Sequence, residues 1–236
     1  MDLLQAIQQR HSVRKYLARP LSPEVIAALQ AQIAECNQQG QLHLQLITQE
    51  PKAFSGLLSY GKFKGVENYL AMIGPKSPQL NERIGYYGER LVLLAQTLGL
   101  NTCWAGLSYR KVSNAYRVEK GETLVCLIAL GYGETQGVPH RTKTMAQVSN
   151  ATAESPEWFR RGVEAALLAP TAINQQKFAF KLLTPCTNAA QTLPRVQAQR
   201  GFSMVGYTQI DLGIAKYHFE VGAGKSNFEW ATDEDH

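Results

Sequence analysis

Five of the eight residues from Gln9 to Tyr16 can bind an anion, and their types and order suggest a phosphate site. Arg10 and Arg14 each carry a planar fork of donors that matches a phosphate two bonds at a time. Ser12 adds a hydroxyl donor between them. The same residues also fit a solvated basic helix end that complements the helix dipole. Taken alone, this cluster leaves both interpretations open.

A second set of polar side chains lies in the last third of the chain. Asn174 and Gln176 each offer donors and acceptors, which suits a flat heterocycle with alternating carbonyl and NH groups. Thr171 adds a hydroxyl nearby, and Arg141 and Lys143 form a second basic cluster ahead of this segment. The residue types therefore predict one basic and one amide-rich half-site.

Composition narrows the class of protein. The chain has 236 residues, 44% hydrophobic and 18% charged, which is ordinary for a soluble globular protein. We expect no membrane span and no signal peptide, because no apolar run is long enough and no basic segment precedes one. A net charge of +5, evenly spread, does not favour nucleic-acid binding. The four cysteines are widely spaced: Cys36, Cys103, Cys126 and Cys186. Their spacing predicts reduced thiols, no metal site and a cytoplasmic protein.

Local patterns predict the elements that position these residues. A helix begins at Ser22-Pro23-Glu24, where serine caps, proline fits the first turn and glutamate complements the positive end, and it ends at Gly40. A second amphipathic helix is predicted over 79–98. The other predicted elements are strands over 42–48, 69–74 and 124–130, a compact turn over 101–107 and a helix over 108–118.

The chain then begins a similar series again. Ser155-Pro156-Glu157 repeats the earlier helix start, and a strand ending at Thr184 follows at nearly the same offset as the one ending at Thr48. We therefore predict two related repeats, 1–150 and 151–236, in a single pseudo-symmetric domain that resembles a fused dimer. Each half-site occurs in only one repeat, which predicts one composite pocket. The alternative is that helix–strand pairs recur by chance.

Four segments together resemble the signatures of the nitroreductase-like flavoprotein superfamily. They are Arg10 to Tyr16, Gly99 to Gly106, Gly131-Tyr132 with the basic loop Arg141 to Lys143, and Ala169 to Phe178. In the common family the amide-rich segment precedes the Cys-Trp segment, whereas here it comes last. The chain thus resembles the single-chain, internally duplicated branch. Lys177-Phe178 in place of Pro-Trp departs from the pattern at the substrate-facing end.

The resemblance implies an α+β, nitroreductase-like fold, with mainly antiparallel central sheets flanked by helices and a pseudo-two-fold, fused-dimer arrangement. It also implies bound FMN. Its phosphate, ribityl chain and pyrimidine edge would be held by Arg10, His11, Ser12 and Arg14, with Arg141 or Lys143 reaching the phosphate. The other implied cofactor contacts are Lys62 or Lys64 near the flavin O2, Trp104, Ala105 and Gly106 near N5, and Thr171, Asn174 and Gln176 on the ring.

The implied reaction passes a hydride from NAD(P)H through FMN to an electron-poor acceptor, such as a nitroaromatic or a quinone. Arg14 would tune the flavin electrostatically. No acid–base dyad or dinucleotide fingerprint occurs, so nicotinamide would dock transiently over the flavin. The alternatives are a flavin-binding or sensing protein with little turnover, a degenerate homologue used structurally, and a specialised reaction such as flavin fragmentation or reductive dehalogenation. We expect a monomer or a homodimer, with no membrane or nucleic-acid partner.

Overall fold

The computed structural model describes residues 1–57, 59, 61–183 and 193–231. The chain divides into two compact units, unit 1 (residues 1–139) and unit 2 (residues 140–236). No helix in the described ranges combines the length and apolar character needed to cross a bilayer. Cys186 and Thr184, which the sequence predictions use, lie outside the described residues.

The described residues of unit 1 form the helices α1 (Leu3–Gln9), α2 (Pro23–Gly40) and α3 (Leu80–Thr97). The predicted start of α2 is confirmed, because the Ser22 hydroxyl accepts a hydrogen bond from the amide of Val25 at 3.4 Å. α1 begins with a capping box, in which the carboxylate of Asp2 accepts from the amide of Gln5 at 2.8 Å. The long helix predicted over 79–98 is confirmed as α3.

The sheet of unit 1 is antiparallel and has the strand order β1-β2-β4-β3. Its strands are β1 (Gln45–Ile47), β2 (Asn68–Pro75), β3 (Asn101–Ala105) and β4 (Glu122–Gly131). The central strands β2 and β4 confirm the strands predicted over 69–74 and 124–130. Residues Tyr69, Ala71 and Ile73 of β2 face one apolar cluster, and Leu70 and Met72 face another that includes side chains of α2 and α3.

The segment after α1 is held against this sheet by backbone hydrogen bonds. The amide of Val13 donates to Thr102 O at 3.0 Å, and the amide of Tyr16 donates to Lys64 O at 2.9 Å. The buried Tyr16 hydroxyl donates to Val13 O at 2.6 Å, which closes the segment on itself. The N-terminal basic cluster is therefore positioned by β3 on one side and by the loop before β2 on the other.

Unit 2 contains α4 (Met145–Val148), α5 (Glu157–Leu167) and α6 (Thr208–Ala223). Its sheet has the order β5-β6-β7, formed by β5 (Phe178–Leu182), β6 (Arg195–Arg200) and β7 (Glu229–Trp230). β5 and β6 are antiparallel, whereas β6 and β7 are parallel. Aromatic rings form the core, with Phe180 stacked on Phe219 at 4.7 Å between ring centroids.

Three short 3-10 helices, Lys52–Phe54, Ala172–Asn174 and Lys225–Asn227, complete the described elements. The predicted α+β class, with mainly antiparallel sheets against helices, is confirmed. The two repeats over 1–150 and 151–236 and their pseudo-two-fold arrangement stay predictions.

Three local predictions are wrong. Residues 101–107 were expected to form a compact turn, but Asn101–Ala105 is strand β3, paired with β4 along its length. Residues 108–118 form no helix, because the Arg110 amide donates to the distant carbonyl of Ala53 at 2.9 Å and Tyr116 packs on the core. The strand predicted over 42–48 is only Gln45–Ile47. The side chain of Asn37 hydrogen-bonds both the amide and the carbonyl of Leu44, which are therefore not available for strand pairing.

Candidate functional site

A buried charge pair fixes the first residue of the N-terminal cluster. Arg10 follows α1 with 3% of its surface exposed, and its Nε lies 3.8 Å from Oε1 of the fully buried Glu89 on α3. The other oxygen of Glu89 accepts a hydrogen bond from Nε1 of Trp104 on β3 at 3.0 Å. Burial lowers the pKa of Arg10, whereas the charge of Glu89 raises it. One carboxylate thus links the end of α1, α3 and β3.

Ser12 and Arg14 lie around the thiol of Cys103. Burial raises the pKa of that thiol, while the charge of Arg14, a hydrogen bond with Ser12 and the charge of Arg10 act in the opposite direction. Because burial is the largest of these effects, Cys103 is a neutral buried thiol and no nucleophile is indicated. The Arg14 side chain is exposed and the Ser12 side chain is partly exposed. The two residues therefore present donors at the surface of unit 1.

His11 lies next to this pair, close to a left-handed glycine. A Cβ atom on Gly137, whose φ is +75°, would lie 2.7 Å from Cβ of His11 and 3.3 Å from Ser12 O. Only glycine therefore fits there without a shift. Arg10, Ser12 and Arg14 therefore all act on the thiol of Cys103, and His11 lies beside Gly137; that these four residues bind a cofactor stays a prediction.

The side chain of Trp104 is directed to α3. A Cβ atom on Gly88 would lie 2.5 Å from Cη2 of Trp104, so the missing side chain on α3 leaves room for the indole ring. Ala105 is buried in the apolar cluster of the sheet, and Gly106, just after β3, is half-buried. The indole ring of Trp104 therefore packs on α3, and its predicted contact with a cofactor, like those of Ala105 and Gly106, stays a prediction.

Lys62 lies in the loop before β2, which is hydrogen-bonded to the N-terminal segment at Lys64. It is exposed in the loop after the first 3-10 helix, where its amide donates to Ser59 O at 2.9 Å. Together with Lys15 and Lys64 it lines a cavity of about 620 Å³. In the part of the chain that the structure describes, the lining of this cavity includes none of the four residues from the N-terminal cluster.

The five predicted site residues of unit 2 form one hydrogen-bonded group. Gln176 is 3% exposed, and its Nε2 donates to Arg141 O and to Asn174 Oδ1, both at 2.9 Å. Its Oε1 accepts from the amide of Lys143 at 2.9 Å. The Nζ of Lys143 donates to Gln176 O at 2.6 Å, and the Thr171 hydroxyl accepts from the Gln176 amide at 3.0 Å. The amide group of Gln176 therefore organises the loop from inside.

The loop that carries these residues has a strained backbone. Ile173, Asn174 and Gln176 have φ values of 48°, 57° and 45°, in the left-handed region. That region is unfavourable for β-branched residues above all, and Ile173 is 78% exposed. Burial also lowers the pKa of Lys143, with the nearby charge of Lys177 adding to the effect. The loop thus concentrates backbone strain and positive charge.

Asp211 on α6 holds this loop in place. Its Oδ1 accepts from the Ala172 amide at 2.9 Å, and its Oδ2 accepts from Nε2 of Gln175 at 2.6 Å. The carboxyl is 2% exposed, and burial raises its pKa to about 6, although both hydrogen bonds oppose the shift. A buried carboxylate therefore positions the loop from the neighbouring helix.

Sequence reasoning missed Glu89 and Asp211, although both leave a signal. Each is an acidic residue within an otherwise apolar helix face: Glu89 follows the buried Gly85 and Gly88, and Asp211 lies between Ile210 and Leu212. An unpaired carboxylate in such a position is costly, so a partner was to be expected. The identity of that partner is set by tertiary contacts and does not follow from spacing.

The chain resembles known proteins in both sequence and structure. The model of the family described as "Putative TM nitroreductase" matches residues 2–223. No curated protein gives a significant match.

Three solved structures described as "putative nitroreductase" resemble the chain. One from Thermotoga maritima has a TM-score of 0.64 and 22% identity, and the match covers 96% of this chain and 85% of that one. One from Desulfovibrio desulfuricans, in complex with FMN, has a TM-score of 0.50 and 19% identity over 66% and 98%. A third, from Exiguobacterium sibiricum and also with FMN, has a TM-score of 0.50 and 17% identity over 62% and 95%. At these identities the likeness shows a shared fold.

Proposed function

This chain belongs to the TM nitroreductase family, and on that premise we propose that it is an FMN-dependent oxidoreductase. The observation that carries the proposal is the grouping of Arg10, His11, Ser12 and Arg14 beside β3. Two of the similar structures are complexes with FMN, which further supports the choice of cofactor.

The residues of unit 1 suit the polar parts of FMN. Arg14 offers a charged fork, Ser12 a hydroxyl, and Gly106 a backbone with no side chain in the way of a ligand. Arg10 is buried beside Glu89, so its charge is already partly balanced and its orientation is fixed. We propose that Ser12, His11 and Arg14 contact the pyrimidine edge and ribityl chain, and that Arg10 contacts the phosphate side while held by Glu89.

FMN, when bound, supplies the hydride-transfer chemistry, and the protein's task is to bind and orient it. The Arg14 cation would favour negative charge on the nearby pyrimidine edge. The backbone amides of Ala105 and Gly106 are proposed donors towards the central ring, and Trp104 supports them by packing on α3. Lys62 remains a proposed contact of the flavin O2.

Unit 2 is proposed to contribute in two ways. Arg141 and Lys143 place positive charge for the phosphate, and burial with Lys177 nearby destabilises the charged form of Lys143 unless an anion is present. Thr171, Asn174 and Gln176 are proposed contacts of the ring. Because the Gln176 side chain already has protein partners, we propose that its contribution is to fix the loop that presents Thr171 and Asn174.

The proposal also covers the electron donor and acceptor, the oligomeric state and the cellular location. We propose NAD(P)H as donor and a nitroaromatic or quinone as acceptor, with either a monomer or a homodimer as the active form. The three described cysteines are buried free thiols, which supports a cytoplasmic location.

The first test is the absorbance spectrum of the full chain after incubation with FMN and removal of unbound cofactor. We expect a flavin absorbance band at about 450 nm that remains in the protein fraction after unbound FMN is removed. Arg14→Ala should weaken FMN binding about tenfold, because a charged bidentate donor is lost. Arg117→Ala, which removes another exposed arginine of unit 1, serves as the control and should bind FMN normally. Equal affinity of the Arg14 and Arg117 variants would contradict the assignment.

The second test follows the oxidation of NADH and NADPH by the loaded protein, with menadione or nitrofurazone as acceptor. We expect acceptor-dependent oxidation of at least one donor. A stable flavin complex that oxidises neither donor would instead identify a flavin carrier.

A further inference from the structure

Unit 2 exposes an apolar surface that the proposed cofactor contacts do not use. Phe202 is 85% exposed, Met204 is 93% exposed, and Val205 beside them is 46% exposed. Single exposed apolar side chains are ordinary, whereas three within four residues of one loop form a patch of the kind that marks an interaction site. Together with Ile173, which is also exposed, these residues are called the apolar tips below.

Hydrogen bonds join the two loops that carry the apolar tips. The Gln175 side chain, in the loop of Ile173, donates from Nε2 to Gly206 O at 3.0 Å. At the other end of the second loop, the Gly201 amide donates to Lys177 O at 2.7 Å. The two loops meet where β5 begins and β6 ends, because these strands are antiparallel. The apolar tips therefore lie at one end of the unit 2 sheet.

The same end of the sheet is basic. Lys177 directly precedes β5 and Arg200 ends β6, and both side chains are exposed. No aspartate or glutamate occurs in the sequence from 165 to 210. Asp211 follows, but it is 2% exposed and its carboxylate already accepts two hydrogen bonds from the loop of Ile173. The apolar tips are therefore flanked by positive charge, with no exposed carboxylate in that stretch of sequence.

Charge and shape indicate which partner fits the apolar tips. In a two-fold contact between copies of this chain the same patch faces itself, so Lys177 and Arg200 would face their own copies. Like charges placed against one another in a contact are costly. An anionic lipid surface instead offers negative headgroups above a hydrocarbon layer. Protruding side chains also suit a soft bilayer, whereas a rigid protein partner would need a matching pocket for each of them.

We propose that the apolar tips insert into the headgroup region of an anionic bilayer, with Lys177 and Arg200 at the lipid phosphates. Aromatic and apolar side chains at a membrane surface are buried at the boundary between headgroups and acyl chains. The expectation of no membrane partner rests on the absence of a long apolar run, which bears on spanning a bilayer and not on contact with its surface. The proposal goes beyond the oxidoreductase function and does not depend on it.

The test is co-sedimentation of the full chain, with and without saturating FMN, with vesicles of phosphatidylglycerol and phosphatidylcholine in equal parts. We expect binding at about 0.05 M salt that falls about tenfold at about 0.5 M, because exposed charges are screened. Vesicles of phosphatidylcholine alone should bind about tenfold more weakly. No binding to the mixed vesicles at the lower salt concentration would overturn the proposal. Binding that FMN abolishes would assign the surface to the cofactor site and would also overturn it.

Variants separate insertion from electrostatic attraction. The double variant Phe202→Ser, Met204→Ser should weaken vesicle binding at least about tenfold, since the inserted apolar surface is lost. Arg200→Gln should weaken it about fivefold. Val138→Ser and Lys120→Gln each remove one exposed side chain of unit 1, apolar and basic respectively, and should bind as the unaltered chain does. Normal vesicle binding by the double variant would contradict insertion of the apolar tips.

A tryptophan at the surface reports insertion directly. With vesicles that carry brominated acyl chains, the emission of Phe202→Trp should be quenched more strongly than that of the unaltered chain, because the added indole lies among the lipids. Equal quenching of the two proteins would overturn the proposal. Analytical ultracentrifugation without lipid tests the other occupant. A dimer that the double variant fails to form would identify the surface as a contact between copies, which also overturns the proposal.

Discussion

The two units of this protein share an order of elements and differ in how they hold their polar groups. Unit 1 runs α2-β1-β2-α3-β3 and unit 2 runs α5-β5-β6-α6-β7, each helix–strand–strand–helix–strand. Unit 1 adds β4 between β2 and β3 in its sheet, whereas β7 of unit 2 has two residues and pairs directly with β6. The order of these elements is common to both units, the additional strand β4 is a difference between them, and the duplication stays a prediction.

Each unit has a buried carboxylate on a long helix, α3 in unit 1 and α6 in unit 2. Each carboxylate holds residues of the predicted site, or of the loop that carries them, in place. Glu89 of α3 binds Arg10 and Trp104, and Asp211 of α6 binds the Ala172 amide and the Gln175 side chain. Glu89 lies in the middle of its helix, whereas Asp211 lies in the first turn. The two carboxylates are therefore similar in role and not in position.

Glu89 and Asp211 have different hydrogen-bonding and charge partners, and this difference affects how each unit responds to a change of pH. Glu89 meets a cation and an indole NH on regular elements, so its charge is balanced. Asp211 meets only neutral donors among the bonds described, in a loop with three residues at positive φ. Neutral donors balance a buried charge less well than a cation does. We therefore expect unit 2 to be the more sensitive to pH.

The largest effect is expected from Glu89→Ala, which leaves the buried Arg10 without its counter-charge. The free energy of unfolding should fall by about 3–5 kcal/mol, as for other broken buried pairs. Urea denaturation measures the change. Glu89→Gln keeps an acceptor for Trp104 and should cost less; if the two variants were equally unstable, the charge of Glu89 would not matter.

A pH dependence is expected from Asp211. Its pKa is about 6 in the folded chain, above the ordinary value of 3.8, so the folded state binds the proton more tightly. Its contribution to stability is therefore full below about pH 4 and is lost as the pH rises through about 6, by up to about 3 kcal/mol. Asp211→Asn should remove this slope from unfolding curves measured between those pH values. The exposed Glu164→Gln, on α5, should leave it unchanged.

Two glycines test how rigidly each unit is packed. A Cβ atom on Gly222 of α6 would lie 2.5 Å from the backbone oxygen of Arg161, whereas one on Gly88 of α3 meets the side chains of Trp104 and Met72. Backbone cannot yield as side chains can, so Gly222→Ala should cost about 2–3 kcal/mol and Gly88→Ala about 1 kcal/mol. Thermal unfolding ranks the two. The reverse order would mean that α5 and α6 separate easily.

The smallest effect has the opposite sign. Ile173→Asn should raise the free energy of unfolding by about 1 kcal/mol, because asparagine tolerates the left-handed region better than a β-branched residue does. Little packing is lost, since Ile173 is 78% exposed. No residue from 10 to 16 in unit 1 has a positive φ, so no equivalent gain is expected there. A loss of stability would show that the Ile173 side chain makes a stabilising contact.

Much of the fold follows from local sequence. The Ser-Pro-Glu start of α2, the apolar face of α3 and the apolar runs of β2 and β4 each act within a few residues, so the pattern predicts them. Strand β3 is not predictable in this way. Its small residues are typical of a turn, and it is a strand because it pairs with β4. The helix predicted over 108–118 is wrong for the same reason, since the backbone and side chain of Arg110 bond to Ala53 and Lys52.

The candidate site shows the same limit. Residue types select Arg10, Ser12 and Arg14 in one segment and Asn174 and Gln176 in another, and their role in a site stays a prediction. It does not show that Glu89 and Asp211 lie beneath them, because those contacts depend on which helix face meets which loop. Nor does it show that the Gln176 amide is already bonded to its own loop. Residue types predict possible chemistry, and tertiary structure decides which donors remain available.

The bond between Trp104 and Glu89 also gives the molecule an optical probe. Trp104 is the single tryptophan of residues 1–139, whereas Trp158 and Trp230 both belong to unit 2. Replacing those two by phenylalanine leaves an emission spectrum that originates only in unit 1. Since the indole NH of Trp104 donates to a buried carboxylate, its emission maximum should shift when that bond breaks. Fluorescence of such a variant would follow the opening of unit 1 independently of the state of unit 2.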